Sequence, residues 1–354
     1  ALSRISGKNR IAIIQALGQL RYIPAASRIF EYSSDPDTVI RLAAISALAN
    51  MGYEPLRPVL LESITESGTP YREQLIIDYL KFIEQLKDKS LAAQYCREII
   101  TDSPYYFSGH NRLTAAGMLI AIQGGPAALP DVLNFMQNCS AKDQLTILIF
   151  LERMDITTLI DAVSAVKYKL SPAWQAGFIT MLGSRKDQKA IPFIEAAVQD
   201  TAVIVRAAAI KSLLQIRPAR ASEFLIPVMC RESDSLIRDA LYTSLKTVPT
   251  QELFPGLAEH YPEMNLAGKQ LVLNIMGERQ IRMYTDFVIS QMSAGQTEVR
   301  IAAMQNLADL AAAGDLPVLL SQLQRTSAAE QEILFKSILE LIDRYQDDPA
   351  IHQA

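Results

Sequence analysis

Apolar and polar residues recur along the chain in one repeated segment, Arg-x-x-apolar-apolar-polar-x-Leu. Its first residues are Arg10, Arg41, Arg72, Arg112, Gln144, Gln175, Arg206, Arg238, Lys269, Arg300 and Gln331. The intervals are 31, 31, 40, 32, 31, 31, 32, 31, 31 and 31 residues. Seven residues after each start stand Leu17, Leu48, Tyr79, Leu119, Leu151, Leu182, Leu213, Leu245, Met276, Leu307 and Ile338. Four residues after stand Ile14, Ile45, Ile76, Ala116, Leu148, Ile179, Ile210, Tyr242, Leu273, Met304 and Phe335. Positions +3, +4 and +7 share one face of a helix, so each segment is predicted as an amphipathic helix with these columns buried. Position +5 is mostly small or polar, as in Ser46, Lys211 and Asn274, with Ile77, Gly117 and Ile149 as breaks.

A second helical stretch lies between these segments, as in Pro24–Glu31, Pro55–Glu62, Ile191–Val198 and Leu316–Leu323. Proline stands at or near its first turn, where the missing N–H costs nothing. No alternating run with hairpin turns is present, so essentially no sheet is expected. Each helix–turn–helix unit cannot bury its apolar face alone and must stack on its neighbours. One array over residues 1–345 is expected, followed by a polar tail over 346–354. Only nine residues precede Arg10, so the first helix pair is expected to be a cut repeat whose cap comes from upstream sequence or from a partner.

Asp35-Pro-Asp-Thr-Val-Ile-Arg41 and Asp200-Thr-Ala-Val-Ile-Val-Arg206, each running on into an apolar helix, resemble HEAT repeats. The second is similar to the short bacterial variety also found in phycobilisome-lyase-like proteins. The shared features are an acid six residues before the Arg and a Val-Arg or Ile-Arg opening. Glu66/Arg72 and Glu232/Arg238 keep the spacing, whereas Gln144 and Gln175 depart from it. The resemblance spans roughly residues 4–345. It implies an all-α fold, an α-solenoid wound as a right-handed superhelix of about eleven repeats. It also implies that the second helices line a concave face. On function it is nearly silent, because one fold hosts many roles.

The Arg column has a structural explanation: a guanidinium fork can bridge to the turn acid or to carbonyls of a neighbouring repeat. With 34 Lys+Arg against 38 Asp+Glu the formal charge is −4, so no bulk cationic field exists for nucleic acid. Three cysteines and three histidines, unclustered, give neither a disulfide scaffold nor a metal centre. Phosphate-binding glycine loops, the GxSxG elbow and HExxH are absent from the sequence. No catalytic residue, cofactor or metal is therefore expected. The longest apolar runs are too short to span a bilayer, and a cytoplasmic or cytosolic-facing location is expected. The chain begins with Ala, which leaves a leader or anchor upstream open.

The exposed faces of the second helices should carry positions +5 and +9. The +9 column runs Gln19, Asn50, Lys81, Ala121, Arg153, Ser184, Gln215, Thr247, Glu278, Asp309 and Glu340. Its hydrogen-bonding groups suit an extended peptide or helix, and Lys81, Arg153, Lys211, Gln215 and Asn274 are the candidate contacts. The one long interval places a Pro/Gly/Ser-containing loop at Thr101–Asn111, with Tyr105, Tyr106, Phe107 and His110. These aromatics either tuck over the adjacent repeats as a lid or project as a binding loop. The expectation is a non-enzymatic, monomeric scaffold for a protein partner. The alternatives are an accessory subunit of a modifying enzyme, lyase-like or chaperone-like, or the soluble part of a larger membrane-anchored bacterial protein.

Overall fold

A computed structural model describes residues 7–66, 68–101, 107–349 and 351. Among the described residues it contains twenty-one α-helices and no strand. The fold class is all-α, of solenoid type, as the periodicity requires. The chain divides into two compact units, Ala1–Trp174 and Gln175–Ala354.

The first unit holds α1 (Gly7–Gln19), α2 (Ala26–Phe30), α3 (Thr38–Met51), α4 (Arg57–Glu66), α5 (Thr69–Gln85), α6 (Lys89–Thr101), α7 (Gly109–Gln123), α8 (Gly125–Met136), α9 (Ala141–Leu151) and α10 (Ile156–Val166). The division falls inside α11 (Pro172–Arg185). The second unit continues with α12 (Ile191–Ala197), α13 (Val203–Ile216), α14 (Ala221–Arg231), α15 (Ser235–Leu245), α16 (Thr250–His260), α17 (Leu266–Glu278), α18 (Thr285–Gln291), α19 (Thr297–Leu310), α20 (Leu316–Leu323) and α21 (Ala328–Arg344). Each of the eleven segment starts lies three residues into an odd-numbered helix. The even-numbered helices are the second stretch, several opened by a 3-10 turn with proline at its start, as at Pro24 and Pro55.

Side chains cap the start of several odd-numbered helices. Asp37, Ser108, Ser140, Asp234 and Asn265 each accept a hydrogen bond from a backbone N–H of the first turn. That satisfies a donor the helix leaves unpaired. Ser327 and Glu330 form a reciprocal capping box on α21. At the end of α3, Gly52 takes φ +61°, and a Cβ there would also meet the Gln85 carbonyl oxygen at 2.5 Å.

The +7 column is buried from Leu48 to Ile338, with only Leu17 half-buried. The +4 column is buried at Ile14, Ile45, Ile76, Ala116, Ile179, Ile210, Leu273 and Met304. Leu148 and Tyr242 are half-buried, and Phe335 is 52% exposed, against expectation. The reason for Phe335 is positional: at seams such as α17–α19 this face of the odd-numbered helix meets the next one, and among the described residues none follows α21. Seams between successive odd-numbered helices are close. Ser212 donates to the Ile179 carbonyl at 3.0 Å, Ser337 to the Met304 carbonyl at 2.8 Å, and Asn306 to the Asn274 side chain at 2.9 Å. A Cβ on Gly277 would lie 2.3 Å from Asn306 Oδ1, so that seam needs glycine.

The Arg column has a structural task. Arg72 donates to the Ile64 and Thr65 carbonyls at 3.0 and 3.5 Å, and Arg112 to the Ile100 carbonyl at 2.8 Å. Gln144 reaches the Met136 carbonyl and Gln331 the Leu323 carbonyl, at 2.9 and 3.0 Å. These are the last carbonyls of the preceding helix, otherwise unsatisfied. At Arg41 and Arg206 the guanidinium binds the backbone oxygen of the turn acid, Asp35 or Asp200, at 2.7 and 3.0 Å. The carboxylate bridge considered from sequence is replaced by a carbonyl cap, because each acid turns its side chain to a backbone N–H two residues on. Acidic partners come instead from the following repeat: Glu232 for Arg206 at 3.1 Å and Glu330 for Arg300 at 2.8 Å. Ser327 and Arg300 together hold the Glu330 carboxyl below the usual carboxylate range.

Candidate partner-binding cleft

The long interval is spent on structure. The helix α5 has 17 residues and α6 has 13, whereas α3 and α4 have 14 and 10. Residues 102–106 lie outside the described residues, so the Tyr105 and Tyr106 expectations fall there. Phe107 is buried, 6% exposed, with its ring 6.0 Å from Tyr79. Of the two alternatives for this aromatic, packing over the adjacent repeats is the arrangement found. His110 and Asn111 are not in the loop expected for them: Ser108 caps α7 by accepting from the Asn111 N–H, and both residues belong to its first turn.

Phe107 closes an aromatic cluster. Tyr79 and Phe82 stack at 6.1 Å, and Phe82 and Tyr95 at 6.4 Å. The Arg57 guanidinium lies 4.0 Å from the Tyr95 ring centre, donates to the Tyr79 hydroxyl at 3.2 Å and pairs with Glu98. Burial pushes the Tyr79 phenol up to about 12, so at neutral pH it is a neutral structural group. Nothing in the periodicity marked Arg57 or Glu98, because neither stands in a repeated column.

With α6 and Phe107 packed on this cluster, α5 and α7 leave a cleft of about 780 Å³ between them. The α5 wall supplies Arg72, Glu73, Ile76, Ile77, Leu80, Lys81 and Glu84. The α7 side supplies Ser108, His110, Asn111, Thr114 and Met118. The floor is apolar and the rim polar, the composition of a protein-recognition groove. Ile77, flagged as a break in the +5 column, is 47% exposed here. Behind α5, Asp78 is buried and accepts from Ser46 and Gln74 at 3.2 and 3.3 Å, with the Lys81 amine 3.9 Å away. Burial raises the Asp78 pKa above the usual carboxylate value despite these partners.

The structure thus brings Lys81 and His110 to one cleft, both exposed. Arg153 is exposed in the turn after α9 rather than on the helix, since α9 ends at Leu151. In the second unit Lys211 and Gln215 are exposed on α13, and Asn274 is exposed on α17, held by Asn306. Ser108, Asn111, Glu73, Glu84 and Met118 were not foreseen. The only sequence signal for them is the 40-residue interval itself. Trp174 is fully buried, as is Cys96, whose thiol burial pushes up to about 12. Among the described residues no cluster of three or more His, Cys, Asp or Glu could hold a metal, and no helix is long and apolar enough to cross a membrane.

A family model for HEAT repeats matches residues 1–81 and 159–246. The match supports a HEAT-repeat family for the chain and agrees with the helix pairs found there. No curated protein sequence matches the chain. HEAT repeats generally mediate protein–protein interaction, and the family is typically a non-enzymatic scaffold.

Proposed function

We propose, taking a HEAT-repeat chain as the premise, that this protein is a non-enzymatic scaffold and that the α5–α7 cleft is its principal docking site. The observation that carries this reading is the opening itself. In the second unit the α17–α19 seam is closed by the Asn274–Asn306 pair, and Ser212 and Ser337 bridge α11–α13 and α19–α21. At the long interval Ile77 is left exposed, beside the half-buried Leu80 and Met118 and above the buried Ile76. Rigid helices frame it, and a buried aromatic cluster holds α6 and Phe107 in place. An opening so supported suits recognition, with apolar side chains between polar ones at its edges. The exposed Lys211, Gln215 and Asn274 are proposed as a further contact row on the second unit.

A photo-crosslinking amino acid at Ile77 tests the reading in extracts of the native host. The same probe at the exposed Met283 of the second unit is the control. A discrete protein adduct at position 77 and none at 283 is expected. Equal labelling at both positions, or none at 77, overturns the cleft as the docking site.

A further inference from the structure

We infer that the α5–α7 cleft takes an amphipathic helix whose apolar face is flanked by Lys or Arg at both ends. This rests on the cleft being the docking site and adds the chemistry of the occupant. The charges lining the cleft are unequal in availability. Arg72 is committed to the Ile64 and Thr65 carbonyls. Lys81 sits 3.9 Å from the buried Asp78, and an anionic ligand would have to draw it away from a carboxylate that burial already disfavours. The acids are less occupied. Glu73 is exposed and has no hydrogen-bond or ion-pair partner among the described residues. Glu84 is exposed; its carboxylate meets the Gln85 amide at 3.4 Å, while the Lys89 amine donates to its backbone carbonyl at 3.0 Å. The cleft charges least engaged elsewhere are therefore two carboxylates, eleven residues apart on one helix, about 16 Å along its axis.

The floor between them sets the occupant's shape. Ile76, Ile77 and Leu80 lie on the α5 face that would otherwise meet the next odd-numbered helix, and Met118 lies on the facing side of α7. Both walls are helix faces, so a third helix laying its apolar side between them follows ordinary groove recognition. Its terminal cations then meet Glu73 and Glu84, giving charge complementarity that sets register and orientation.

The test uses the full chain and three fluorescein-labelled 15-residue Leu/Ala helices with Lys, Gln or Glu at both ends, read by anisotropy at low salt. The Lys peptide is expected to bind at least tenfold more tightly than the Gln peptide, with the Glu peptide weakest. Glu73→Lys with Glu84→Lys should invert that order. The exposed pair Glu259→Lys with Glu298→Lys, equal in net charge but in the second unit, should leave it unchanged. Equal binding of all three peptides, abolished by Ile77→Asp, overturns the charged-helix inference and leaves the docking cleft standing. Failure of every peptide to bind, or indifference to Ile77→Asp, overturns both. An equal effect of the two charge-reversal pairs shows attraction to the whole protein and also overturns the inference.

Discussion

The α17–α19 seam and the α5–α7 pair begin from the same repeat and end differently. In the first, Gly277 lies so close to Asn306 that a single added carbon would collide, and Asn306 bridges to Asn274 at 2.9 Å. In the second, 40 residues replace 31, α6 and Phe107 pack on an aromatic cluster, and the odd-numbered helices part around about 780 Å³. The difference teaches that stacking is a default which small residues enforce. A cleft opens where the default is released.

The largest expected effect belongs to the sealed region. Leu213→Asp puts an unpaired carboxylate in the fully buried +7 column and should cost about 4 kcal/mol or more. Lys211→Asp, two residues away and exposed, should stay within about 0.5 kcal/mol. Urea unfolding of both variants checks the register, and equal midpoints would break it.

Added volume should also separate the regions. Gly277→Val forces the seam apart and should cost about 1–3 kcal/mol. Thr114→Leu, facing the cleft, should change stability by no more than about 0.5 kcal/mol. Comparable losses at both positions would mean that α5 and α7 are as tightly packed as α17 and α19.

The Arg column predicts a smaller graded loss. Arg300→Ala abandons the Ala294 carbonyl and the buried Glu330, for about 1–3 kcal/mol. Arg300→Gln should recover part of it, because Gln144 and Gln331 show that an amide at this column can cap a carbonyl of its own repeat, there eight residues back rather than six. A Gln variant as unstable as the Ala variant would refute the capping role.

The smallest effects are in pH dependence, and they have opposite signs. Glu330 has a lowered folded pKa, so its stabilisation is present above the ordinary glutamate value and is lost as pH falls through the folded one. Asp78 has a raised folded pKa, so its contribution improves as pH falls from the folded value toward the ordinary aspartate value. Asp78→Asn should therefore be most stabilising near neutral pH and lose its advantage in acid. Glu330→Gln should be most destabilising near neutral pH. Melting curves between pH 3 and 7 read both, and parallel trends would contradict the assignment.

The repeat was legible because burial imposes a period. The Leu213 and Leu307 column follows from helical geometry alone, and the segment starts fall three residues into each odd-numbered helix. Partner choice was not legible. Asp35 and Arg41 stand at a spacing that allows an ion pair, yet the backbone carbonyl wins, because Asp35 is better used within its own turn. Glu232 matches the spacing to Arg238 but pairs with Arg206 across the repeat boundary. The cleft was legible only as a disturbed interval. That an extra stretch would lengthen α5 and α6, bury Phe107 and leave Ile77 uncovered depends on tertiary packing around Tyr79, Phe82 and Arg57.

Filling the cleft is the most direct test of the central claim that this opening, set in a rigid frame, is where a partner docks. Thr114→Trp projects an indole into it from the α7 wall. The account predicts an unchanged melting temperature and loss of the protein cross-linked through position 77. A marked drop in melting temperature with the adduct retained would show that the space is not free and that the partner binds elsewhere.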